Sequence, residues 1–455
     1  MSIENAKNYR FQTALRLARS FSEGKVDPVE VTRHALAKAE ESPSVFLTVT
    51  AERALNEAAE SAARWQNGKP LSALDGVPIA WKDLFDIAGT VTTAGSRVFS
   101  ERPIATADAP LVAMAAASGM VCIGKTTLSE FAYSGLGLNP HFGTPTNPFL
   151  DNGRRAPGGS SSGAAIAVAM GIVPIAVGTD TAGSIRVPCA FNGLTGYRST
   201  RGRYDARGTI SLAASFDTIG PIARNVADCV AFDDALKRAT TPQTPHTLEG
   251  ARFIVDPSLV ARYDVTPDVE RNFHGYITRL KHLGAFVGER ELNSLGDVFK
   301  LIRERGWMGG LEAFALYRDL LDSPDAQRID QHVRARLELA RDVPVSRLEE
   351  LQLRRTELRK SFALDLGGAT LAMPTVAHVA PDLSKPERDP ELFIRVNLAT
   401  LAMTMLGSFL DTPTIAMPTG ADPSGLPTGV QLMRQEGDDL KLLSLCLSIE
   451  AAFRS

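Results

Sequence analysis

A glycine- and serine-rich stretch from Gly158 to Gly193, GGSSSGAAIAVAMGIVPIAVGTDTAGSIRVPCAFNG, limits what this chain can fold into more than any other segment. Two knots of Gly and Ser, Gly158 to Gly163 and Gly178 to Ser184, flank an apolar stretch. The small residues running to Gly171 suit a close-packed helix. Val173-Pro174-Ile175-Ala176-Val177, short, β-branched and uncharged, suits a strand buried on both faces. Such a strand delivers Thr179, Asp180, Thr181, Ala182, Gly183 and Ser184 into a tight turn. Glycine permits positive φ and close backbone approach, so a turn of this composition can aim several N–H groups at one point. Converging N–H groups beside a serine hydroxyl supply what acyl transfer requires, a nucleophile and donors for the oxyanion. Gly/Ser runs are also the usual composition of flexible linkers. A linker leads to a domain boundary, however, and this run leads directly into an apolar helix and strand.

The same residues resemble the signature of the amidase signature family of serine hydrolases, whose pattern is close to GGSSGG, an apolar segment, then G-[ST]-D-x-[GA]-GS-[IV]-R-x-P. That family uses a serine nucleophile, a second serine in a cis peptide, and a lysine. The resemblance places the nucleophile on Ser184, the bridging serine on Ser160 at the family's spacing, and the lysine on Lys82. Lys82 lies in GVPIAWKDLFDIAGTVTTAGS, which is similar to the family's GxPxxxKDxxDxxGxxTTxGS block. By the same resemblance, backbone N–H groups of Thr181, Ala182, Gly183 and Ser184 form the oxyanion hole, and Tyr133, Ser134 and Val187 are expected near substrate. The likeness covers residues 10 to 235 and 395 to 433. It implies an α/β fold, a central mixed β-sheet covered by helices on both faces. Residues 1–455 are expected to form one domain, with 240–365 a variable helical insertion or lid.

The implied activity is hydrolysis of a carboxamide C–N bond through a serine acyl-enzyme, releasing ammonia or an amine. Ser162 and Ala182 stand where glycine is usual, and both variants resemble allophanate hydrolases. Alanine at 182 requires a negative φ or tolerated strain. Val187 stands where glutamine is usual in glutamyl-tRNA amidotransferase A subunits. An apolar side chain there argues against that amidotransferase and for a substrate without a second charged group. A urea-type amide hydrolase and the amidotransferase subunit stay open as alternatives.

Read as a strand, Val77, Ile79 and Trp81 share one face, and Pro78, Ala80 and Lys82 the other. A lone lysine is ordinarily solvated. One that ends an apolar strand is desolvated, which depresses its pKa as a general base near neutral pH requires. Asp83 and Asp86 would oppose that shift if they faced inward, but strand alternation turns Asp83 away. Gly119 to Thr126, GMVCIGKT, literally matches the phosphate-binding GxxxxGK[ST] of nucleoside triphosphatases. That motif needs a loop between its glycines, whereas Met-Val-Cys-Ile reads as a strand and Gly119 sits where a helix C-cap belongs.

A net charge of −3 gives no reason to expect nucleic acid or a membrane surface as partner. Cys122, Cys189, Cys229 and Cys446 are widely spaced among apolar neighbours, with no histidine at ligand spacing. They read as buried free thiols in a reducing compartment, with no metal or other cofactor expected. The amino terminus lacks a secretory pattern, so the expected location is cytoplasmic and the expected partner a small-molecule amide. Oligomeric state is left open, a homodimer included. Helices are expected over residues 8–20, from Pro28 behind an Asp27 cap, over 51–66 and over 268–283.

Overall fold

The computed structural model describes residues 11–149, 154–237, 239–242 and 247–454. Its strands are β1 (Phe46–Val49), β2 (Pro78–Lys82), β3 (Val121–Thr126), β4 (Ile175–Asp180), β5 (Thr195–Arg198), β6 (Thr218–Ala223), β7 (Arg252–Val255), β8 (Phe286–Glu289), β9 (Thr370–Pro374), β10 (Thr414–Ala421) and β11 (Pro427–Met433). They form one mixed sheet in the order β1-β3-β2-β4-β6-β5-β10-β11-β9-β7-β8. β2 runs parallel to both β3 and β4, whereas β4 is antiparallel to β6.

Strand alternation explains why both faces are covered. Ile79 and Trp81 of β2, with Ile175 and Val177 of β4, enter one apolar cluster, beside helices Val226–Lys237 and Asp439–Arg454. Ala80 and Ala176 point the opposite way and meet the small residues of helix Ser162–Ala169. That helix is built largely from Gly, Ala and Val, so it lies close against the sheet. β4 begins at Ile175 and continues to Asp180, past the apolar run, because β6 pairs with it as far as Asp180↔Thr218.

The local start signals are observed where the sequence placed them. The Asp27 carboxylate accepts from the Val29 N–H at 2.7 Å and caps helix Pro28–Glu40. Helices also occupy Ala51–Gln66 and Pro267–His282. The first described helix is Ala14–Ser22, later than the expected 8–20, of which residues 8–10 lie outside the described residues. All four cysteines are buried and unpaired. Helix Pro390–Phe409 is long and apolar enough to cross a bilayer by length and composition, yet much of it is buried inside this fold as a core helix.

One reading is refined and another is borne out. The region 240–365 is not purely helical, since β7 and β8 pair in parallel and β7 extends the sheet from β9. Those strands are four residues long and sit among charged helices, which hides their period. GMVCIGKT is not a phosphate loop: Val121–Thr126 is β3, buried throughout, and Gly119 follows helix Pro110–Ala117 with φ +86°. Gly124 serves packing instead. Its φ is +152°, and a Cβ there would lie 2.1 Å from the Thr48 carbonyl oxygen of β1. Gly124→Val is expected to destabilise the fold by about 3 kcal/mol, the upper range for overpacking. A thermal midpoint equal to that of the unsubstituted protein would refute this reading.

Candidate active site

The turn after β4 is held by one carboxylate. Asp180 accepts from the N–H groups of Gly183 (2.9 Å) and Ile185 (3.2 Å), and from Nε and Nη2 of Arg186 (both 3.0 Å). Arg198 lies 3.8 Å away. Burial alone would raise the Asp180 pKa, but Arg186, Arg198 and the Ile185 N–H together hold it at about 2. The turn is clamped from outside by Thr404, whose Oγ1 donates to the Ala182 carbonyl at 2.6 Å. Gly183 has φ +136°, and a Cβ on it would meet Thr404 Oγ1 at 2.2 Å, so no other residue fits there. Ala182 is not among the residues with positive φ, which removes the strain that alanine threatened.

The two Gly/Ser knots touch. Ser161 N–H donates to the Ser184 carbonyl at 3.2 Å, and Ser161 Oγ donates to the Thr179 carbonyl at 3.3 Å. The Gly159–Ser160 peptide is cis. β2 and β4 are in register at Trp81↔Val177, which carries the next residue, Lys82, alongside the end of β4. Its Nζ lies 2.7 Å from Ser160 Oγ and 2.8 Å from Thr179 Oγ1. Lys82 and Ser160 are both 0% exposed. Burial lowers the Lys82 pKa to about 7, with Asp217 first and Asp180 second opposing the shift. Asp83 plays no part in this, because it faces Lys125 at 2.6 Å.

Ser184 opens onto a cavity of about 240 Å³ that is also lined by Tyr133, Ser134, Thr181 and Ala182. The opposite wall comes from late in the chain and includes Trp307, Arg336, Leu401 and Met405. Ser134 is oriented by Asn397, whose Oδ1 accepts from Ser134 Oγ at 3.1 Å and from the Gly135 N–H at 2.7 Å. A second cavity of about 440 Å³ shares Ala132, Thr181 and Leu212 with the first and reaches Thr179 and Asp217. Asp217 accepts from Thr181 Oγ1 at 2.6 Å, from Ser211 Oγ at 2.6 Å and from the Leu212 N–H at 2.9 Å.

Lys82, Ser160, Ser184, Thr181, Ala182, Tyr133 and Ser134 are therefore gathered at one place. Two expected site residues are not. Val187 does not line the cavity, because the helix Arg186–Phe191 turns it into an apolar cluster with Leu136, Phe191 and Met405. Its apolarity reflects core packing and says nothing about substrate charge. The Gly183 N–H is already given to Asp180 and so is not free for an oxyanion. Thr179, Asp217 and Arg336 are site residues that pattern reading missed. Asp217 stands within SFDTIGP, and Arg336 within a charged segment that reads as a solvated face. A polar oxygen beside a buried lysine was the only available signal for Thr179.

Comparison with known proteins agrees with this geometry. A family described as Amidase matches residues 29–443. The chain is 32% identical over 428 residues to the 2-amino-5-chloromuconic acid deaminase of Comamonas testosteroni, spanning 91% of this chain and 90% of that one. It is 31% identical over 493 residues to the A-type subunit of the glutamyl-tRNA(Gln) amidotransferase of Cupriavidus necator, spanning 97% and 96%. The crystal structure of an amidase superposes with a TM-score of 0.84 at 27% identity, covering 97% of this chain and 99% of the other. With a match over most of its length and the same fold, the chain belongs to the amidase family of amide-hydrolysing enzymes.

Proposed function

We propose that this enzyme cleaves a small carboxamide through a covalent ester on Ser184, with Ser160 and Lys82 moving the proton. The observation that carries this reading is the fully buried 2.7 Å contact between Lys82 Nζ and Ser160 Oγ, adjoining the turn that presents Ser184 to the cavity. Neutral Lys82 can donate one N–H to Thr179 and keep its lone pair for the Ser160 proton. As Ser184 Oγ attacks the carbonyl carbon, its proton passes to Ser160 Oγ and the Ser160 proton passes to Lys82 Nζ. The N–H groups of Thr181, Ala182 and Ser184 receive the developing oxyanion, each donor contributing on the order of 3 kcal/mol.

Collapse of the tetrahedral intermediate breaks the C–N bond. The leaving nitrogen takes a proton from Ser160, which is restored from Lys82. Water then attacks the ester carbonyl, gives its proton along the same path, and the acid leaves as Ser184 is regenerated. The second cavity, which touches Thr179 and Thr181, offers the amine and the water a route beside Lys82. Four unpaired thiols accord with a cytoplasmic location.

Ammonia release is to be measured from aliphatic, aryl and urea-type amides and from glutamine. Ser184→Ala is expected to lower the rate on the best of these at least about 1,000-fold, and Lys82→Ala to do the same, with the double variant no slower than either single one. Undiminished release by Ser184→Ala removes that serine from the mechanism. Preference for glutamine would favour the amidotransferase reading.

The pH dependence has a definite sign. Lys82 acts as base only when neutral, so kcat/KM should rise with pH, reach half its plateau near the group's pKa of about 7, and fall on the acid side. Asp217 raises that pKa, so Asp217→Asn is expected to move the acid limb to lower pH. A profile flat down to about pH 5 in the unsubstituted enzyme would count against Lys82 as the base.

A further inference from the structure

The cavity in front of Ser184 has an unbalanced charge. Two arginines, Arg305 and Arg336, line it, and among the described residues no aspartate or glutamate does. Arg305 is exposed and faces Glu350 at 3.4 Å, so it has a carboxylate of its own. Arg336 differs. It projects from helix Gln331–Glu338, its guanidinium lies 4.2 Å over the Tyr133 ring, and it donates one N–H to the Tyr133 carbonyl. Among the described residues no carboxylate lies within ion-pair distance of it. Burial lowers the Arg336 pKa, with Tyr133 alone opposing the shift.

Arg336 is half-buried, and a guanidinium partly withdrawn from water without an anion is unfavourable; its planar fork is matched by one group above others, a carboxylate bound through two parallel N–H···O contacts. The Tyr133 ring fixes the plane of the fork, and the same residue lines the cavity in front of Ser184. The remaining wall, including Trp307, Leu401 and Met405, suits a short hydrocarbon between two polar ends. We propose that Arg336 binds a carboxylate on the acyl part of the substrate, so that the substrate class is a monoamide of a dicarboxylic acid. This rests on the preceding reading, in which Ser184 marks the amide end.

Binding separates the two ideas, since it needs no turnover. The Ser184→Ala full-length chain is titrated calorimetrically with the linear dicarboxylates from malonate to adipate and with their neutral diamides. At least one dicarboxylate is expected to bind more tightly than its diamide, and adding Arg336→Gln should weaken that dicarboxylate at least about 30-fold, the loss typical of removing one member of a buried charge pair. Arg336→Lys, which keeps the charge without the fork, should lose less than Arg336→Gln. Because it keeps a cation on the helix, it carries the test if the glutamine variant fails to fold. Binding of no dicarboxylate, diamides bound as tightly as dicarboxylates, or an affinity unaffected by substitution of Arg336 would each overturn the proposal. Hydrolysis persisting in Ser184→Ala would instead overturn the assignment of the nucleophile and leave the binding result standing.

Discussion

A carboxylate sealed from water organises the site. Asp180 is wholly buried, and two arginines and three backbone N–H groups converge on it. Arg186, equally buried, also donates to Gln431 of β11 and to Ser408 of helix Pro390–Phe409. The turn bearing Ser184 is thereby tied to strands and helices more than two hundred residues further along the chain. A buried ion pair is weak evidence for net stability, because desolvating two charges offsets much of their attraction. Its role here is geometric: a carboxylate has several lone pairs, and using them all fixes the direction of every group around it.

The same low-polarity surroundings act in the opposite sense on Lys82. Burial removes the water that would stabilise an ammonium, and the nearest anions resist that loss. Asp180 is already balanced by Arg186 and Arg198, whereas Asp217 binds neutral hydroxyls and backbone N–H groups, which accords with Asp217 being the larger of the two opposing influences. Strand geometry settles which carboxylates matter. Asp83 is adjacent in sequence but faces Lys125, while Asp217 is 135 positions away and sits one residue before β6.

What could be read in the sequence was whatever depended on local spacing. The buried lysine at the end of β2, the two Gly/Ser knots and the mixed sheet with helices on both faces follow from composition, period and family likeness over short segments. Val187 shows where that reasoning stops. Three residues beyond Ser184 lies on a new helix, and helical rotation, invisible in a turn motif, carried the side chain into the core. GMVCIGKT shows the converse, a motif complete in letters but built as a strand, because Gly124 answers to the approach of β1. Arg336 was illegible because a charged helix reads as solvated unless one knows what it packs against. The short β7 and β8 were illegible because four residues cannot display a period.

The cavity is made from two unlike portions of the chain. Thr181, Ala182 and Ser184 come from the turn at the centre of the sheet, with Lys82 and Ser160 buried behind it, while the opposite wall is supplied largely by helices Met308–Leu321, Gln331–Glu338 and Pro390–Phe409. Among the described residues, no lining side chain on those helices lies within hydrogen-bond distance of Lys82 or Ser160. Substitutions there can accumulate and redraw the pocket while the lysine and its serine stay where they are. A lineage built this way can change its diet by drift in a few helical positions, without passing through an inactive ancestor.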